Sequence, residues 1–124
     1  MNMFELLHAN AIADRELLLS SDRQGDVFNN PRDVDFAFRT KDSVKANDLC
    51  EFINGKNFGR AHLSQKEGDD LIWVIVIIHM PITQNVIGSI SGFMVCLSRL
   101  FQVEFDGWGS VIQPNPGSAT VDKL

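Results

Sequence analysis

The sharpest contrast between apolar and polar positions runs from Arg32 to Arg39, where Val34, Phe36 and Phe38 alternate with Asp33, Asp35, Ala37 and Arg39. A period of two predicts a half-buried strand. Before it, Phe4, Leu7, Ala11 and Leu18, with Ile12 and Leu19, recur at helical spacing over residues 3–24. Asn2 ahead of Glu5 suits the start of that helix and Gly25 its end. Asp14 and Arg15 interrupt the stripe, so one long helix and two shorter ones are both open. Asp26 to Pro31 reads as a turn-rich linker. After the strand, Ala46, Leu49, Cys50 and Ile53 fall at i, i+3, i+4, i+7, predicting a helix capped by Thr40 or Asp42 and ended by Asn54-Gly55. Phe58–Glu67 is a weaker strand, closed by the turn Gly68-Asp69-Asp70. Leu71–Met80 is apolar on both faces until His79, and Pro81 stops it. The last helix starts near Thr83 with the stripe Ile82, Val86, Ile90, Phe93, Met94, Leu97, Phe101. Its other side carries Gly88, Ser89, Ser91 and Gly92, residues small enough for a close neighbour. A fourth strand spans Gln102 to about Ile112.

After the first helix the order is strand-helix-strand-strand-helix-strand. Two split βαβ units predict an α+β, ferredoxin-like βαββαβ antiparallel sheet with two helices on one face and an extra N-terminal helix. The chain divides into a helical extension and linker (1–29), the sheet domain (30–112) and a flexible tail (113–124). Leu71–Met80 sharpens this picture. One of its two apolar faces must lie opposite the helices, and leaving four large side chains bare there would forgo roughly 1.5–3 kcal/mol each. Either the N-terminal helix crosses that face or another molecule covers it.

Charge narrows the choice of partner. The 124 residues carry a net charge of -5, and residues 1–29 hold five carboxylates against two arginines. An acidic chain is a poor match for direct nucleic-acid binding, which uses basic patches to neutralise phosphate. The longest apolar run, Leu71 to Ile78, falls far short of the ~20 residues of a membrane helix. With no basic leader ahead of it, the chain reads as cytoplasmic. Cys50 and Cys96 fall on apolar helix faces and read as buried thiols, not as a disulfide or metal pair.

The sequence offers no phosphate loop, no nucleophile elbow and no metal-spaced Cys/His cluster, so no catalytic residue, metal or cofactor is assigned. His8, His62 and His79 lack a carboxylate at helical spacing; an enzyme would need a pocket holding one of them beside an acid. The carboxylates are more suggestive. Asp33 and Asp35 share a strand face with Arg39, and Glu104 and Asp106 share a face of the fourth strand, adjacent in the predicted sheet. They form an acidic interaction patch, a cation site, or a solvated face neutralised by Arg32, Arg39 and Arg60. Val103-Glu104-Phe105-Asp106-Gly107-Trp108-Gly109-Ser110 adds two glycines around one tryptophan, which predicts a bulge or bend and an aromatic anchor for the core or for a partner. Aromatic and arginine anchors dominate interfaces, so Asp35, Arg39, Glu104, Asp106 and Trp108 are the candidate contact residues.

That last segment resembles the family of regulator of ribonuclease activity B, the ribonuclease E inhibitor, whose members close their final strand with a Glu-Tyr-Asp-Gly-Trp-Gly-Thr type sequence. Phe105 and Ser110 stand here for the tyrosine and threonine. Pro31-Arg32-Asp33-Val34-Asp35-Phe36 and Gly55-Lys56-Asn57-Phe58-Gly59 resemble the family's first-strand and post-helix segments, and the likeness covers roughly residues 30–112. It implies a ferredoxin-like, bacterial, non-enzymatic regulator that binds a protein partner, a ribonuclease, and modulates RNA turnover. The named regulator carries a strongly acidic tail; here the tail has only Asp122 against Lys123. A second class of function is an immunity-type or self-assembling protein whose apolar sheet face forms a homodimer.

Overall fold

Asn2 accepts a hydrogen bond from the Glu5 amide at 2.8 Å and starts helix α1, Met3–Arg23, which runs unbroken. A computed structural model of the chain describes residues 1–113, so the expected tail lies outside the described residues apart from Gln113. Strand β1 (Arg32–Thr40) follows, then α2 (Ser43–Gly55), β2 (Arg60–Gln65), β3 (Ile72–Met80), α3 (Gln84–Phe101) and β4 (Glu104–Ser110). Asp42 caps α2 by accepting from the amides of Val44 and Lys45 at 2.9 and 3.2 Å. Thr40 instead accepts from the Asp42 amide.

The four strands form one antiparallel sheet in the order β2-β3-β1-β4. Cross-strand partners share a face, so the register sorts the side chains. Val34, Phe36 and Phe38 stand opposite Ile78, Val76 and Val74. Together with Ala46, Leu49 and Ile53 of α2 and Ile87, Met94 and Leu97 of α3 they form the core. Both helices therefore cover one face, as the alternation in β1 predicts.

α1 also sits on that side. It packs along α3 and approaches no strand backbone closely, with Leu7 facing Gly92, where a side chain would meet its Cδ2 at 3.8 Å. The small side of α3 is thus the seat of α1, and Ser91 is fully buried beneath it. The N-terminal helix therefore does not cross the second sheet face. Arg32 also departs from expectation. It lies on the helix side, nearly without solvent, where its guanidinium donates to both oxygens of Asp26 at 2.7 and 2.8 Å and to the carbonyls of Val27, Asn30 and Val111. It ties the linker to the end of β4 and neutralises nothing on the open face.

Candidate interaction surface

β4 carries the feature that decides the geometry. Phe105 pairs with Phe38 and Gly107 with the adjacent Ala37, so Asp106 is an extra residue and the register slips there. A one-residue bulge reverses the side on which every later side chain falls. Without it, Glu104, Asp106 and Trp108 would share a face. With it, Glu104 and Asp106 stay beside Arg39 on the open side, and Trp108 turns to stand opposite Phe36 on the helix side. Gly107, at φ +108°, supplies the backbone conformation that the bulge needs.

Trp108 is half-buried, and its indole N–H donates to Asp14 Oδ1 of α1 at 2.8 Å. Ser91 Oγ donates to the same oxygen at 3.1 Å; Asn10, one turn earlier in α1, donates to Ser91 Oγ at 2.7 Å and to Asp14 Oδ2 at 3.4 Å. Asp14 is only 5% exposed. Burial raises its pKa above the ordinary carboxylate value, while the bonds from Trp108 and Ser91 pull it back down. The residue that breaks the apolar stripe of α1 is therefore the one that fastens α1 to α3 and β4. An acid at an inward helical position was the signal for this cluster, since a buried carboxylate must find donors.

Among the described residues, nothing covers the opposite face of the sheet. Trp73, Ile75 and Ile77 of β3 lie half-exposed along its centre, paired in register with Arg39, Ala37 and Asp35 of β1. At one end Arg39 donates to both oxygens of Glu104 at 2.9 and 3.1 Å and approaches Asp106 at 3.5 Å. The hydrogen bonds and charge of Arg39 hold the Glu104 carboxyl below its ordinary range, and those of Glu104 raise the guanidinium. The same guanidinium lies 6.0 Å from the centroid of the Trp73 ring, at the outer limit of a cation–π contact. At the other end Asp33 meets Arg60 at 3.3 Å and His79 at 3.1 Å. Asp35 has no hydrogen-bonded or ionic partner among the described residues. Four of the five candidate contact residues, Asp35, Arg39, Glu104 and Asp106, are brought together here; Trp108 is on the other side. Trp73 is the aromatic of this surface, and the strand apolar on both faces was its sequence signal.

The remaining chemistry is sparse. Among the described residues no three His, Cys, Asp or Glu side chains are placed to hold a metal. His8 and His62 are exposed, and His79 with Asp33 stands on open surface, not in a pocket. A cleft of about 640 Å³ lies between α1, the end of α3 and the start of β4, lined by Leu6, Asn10, Arg99, Val103 and Asp106 among others, without a histidine. Cys96 is exposed and Cys50 half-buried, so the expectation of two buried thiols fails; α3 turns Cys96 outward, away from its buried neighbours Val95 and Leu97. No helix among the described residues is long and apolar enough to cross a membrane.

Among the described residues, three helices on one side of a four-stranded antiparallel sheet, with an aromatic and charged face on the other, define an α+β domain. The family model of RraB, regulator of ribonuclease activity B, matches residues 11–110, and the chain belongs to that family. The match includes most of α1 and so both ends of the Asp14–Trp108 bond. No curated relative matches the chain.

Proposed function

We propose that this protein is a non-enzymatic regulator that acts by binding another protein, a ribonuclease, and thereby alters RNA turnover, through the open face of its sheet. Membership of a family of ribonuclease regulators supports the class of function. The observation that carries the surface is the uncovered line Trp73, Ile75, Ile77, flanked by the charged groups of β1 and β4. A half-buried aromatic rimmed by paired charges is the pattern of an interface anchor and its polar surround. Asp35, Arg39, Glu104 and Asp106 are the contact residues, and Trp108 holds β4 from behind them. Interleaved split βαβ units and the order β2-β3-β1-β4 support a ferredoxin-like description, with residues 30–112 as the binding unit and 1–29 as an extension clamped to its back.

The test is a ribonuclease E cleavage assay with added protein. The chain changes the cleavage rate, and Trp73→Ala and Arg39→Glu each remove the effect while the melting transition persists. An unaltered rate with the parent protein, or full effect from both folded variants, contradicts the proposal.

A further inference from the structure

The two glycines beside Trp108 have different causes. Gly107 is demanded by its positive φ at the bulge. Gly109 is not demanded by anything among the described residues: its backbone is not in the left-handed region, and a Cβ built on it meets none of their atoms within 4 Å. A glycine inside a strand weakens it and marks places where another backbone or a ligand comes close. Gly109 pairs with Asp35 and Gly107 with Ala37, all on the open face. Between Asp35 and the Arg39–Glu104–Asp106 group, the surface from β1 to the β4 edge thus carries no side chain larger than a methyl. It forms a shelf, backed by Ile75 and Ile77 one strand further in.

Charge says what crosses it. The face has four carboxylates, Asp33, Asp35, Glu104 and Asp106, against two arginines, Arg39 and Arg60. Three of those carboxylates are already engaged by cationic or imidazole side chains, and the fourth, Asp35, at the edge of the shelf opposite Gly109, has no partner among the described residues. Resting on the face already assigned to the partner, we infer that its occupant is an extended, cationic segment of another protein. The segment lies over Ala37, Gly107 and Gly109, seats an apolar side chain against Ile75, Ile77 and Trp73, and places a lysine or arginine on Asp35. Gly109 is a specificity-determining residue: its missing side chain is the space through which the segment passes.

The probes are three capped peptides of about eight residues, long enough to cross the sheet, in which leucine alternates with arginine, glutamine or glutamate. Binding is followed by the backbone amide and indole N–H resonances of the isotopically labelled full chain. The arginine peptide shifts Ala37, Gly107, Gly109 and the Trp73 indole; the glutamine peptide binds about tenfold more weakly, and the glutamate peptide more weakly still. Gly109→Val abolishes binding at an unchanged melting temperature, and Asp35→Asn weakens it and flattens its salt dependence. No binding by any peptide, equal binding by all three, or full binding by Gly109→Val overturns the inference. So does a sedimenting dimer that Gly109→Val dissociates, which would give the shelf to a second copy. The ribonuclease assay separates the two proposals. Regulation that survives Gly109→Val sinks the shelf and leaves the regulator standing; peptide binding on the shelf without any effect on cleavage does the reverse.

Discussion

Trp108 and Trp73 stand on opposite faces of one sheet, and their surroundings differ in kind. Around Trp108 the polar atoms are paired: its indole N–H, Ser91 and Asn10 converge on Asp14, and no buried side-chain polar atom among the described residues lacks a partner. Around Trp73 the apolar side chains stay half-exposed, and one carboxylate, Asp35, has no partner among the described residues. A side sealed with satisfied hydrogen bonds gains stability and specifies one arrangement. A side left with bare apolar surface forgoes burial that further contacts would supply. The first face holds the molecule together, and the second is the one proposed above for the partner.

That contrast fails if substitutions on the two faces behave alike. The largest effect is expected for Trp108→Ala, which removes a large packed ring and leaves Asp14 short of a donor; a loss of roughly 3–5 kcal/mol should appear in denaturant unfolding. Trp73→Ala should unfold close to the parent and lose the partner instead. Asp14→Ala should cost roughly 1–3 kcal/mol, because it leaves the Trp108 N–H without an acceptor, and the cost should depend on pH. The folded-state pKa of Asp14 is raised, so its contribution is fully present below the unfolded carboxylate value and is lost as pH rises through the raised one. The stability difference between parent and Asp14→Ala should therefore shrink as pH rises above the ordinary carboxylate value, in paired melts at a series of pH values. Glu104→Gln should leave the melting temperature unchanged, since its pair with Arg39 is solvent-exposed. A large loss there would mean that the open face is structural after all.

How far the sequence anticipates this division depends on the residue. The alternation in β1 and the helical stripe of α3 specify faces directly, because one side of each is buried and periodicity reports burial. The double-sided β3 asks for a second cover; the first of its two candidates, the N-terminal helix, packs on α3 instead, and Trp73, Ile75 and Ile77 stay half-exposed. The grouping of Asp35, Arg39, Glu104 and Asp106 is legible from alternation plus strand adjacency. Trp108 is not. The glycines announce a bulge, but whether the extra residue falls before or after Trp108 determines the side of the tryptophan, and composition does not encode that position. Asp14 looks like a flaw in an amphipathic helix because its partners lie 77 and 94 positions away in the chain. The two thiols mislead for a simpler reason. A wide apolar stripe does not mark its own edges, and Cys96 lies outside this one.

Because the chain has two tryptophans, one on each face, a labelled sample gives one indole N–H resonance for each side of the sheet. Titration with the ribonuclease partner should shift or broaden the Trp73 signal while the Trp108 signal, held on Asp14, stays in place. A shift of Trp108 with Trp73 unmoved would put the contact on the helix side and contradict the account.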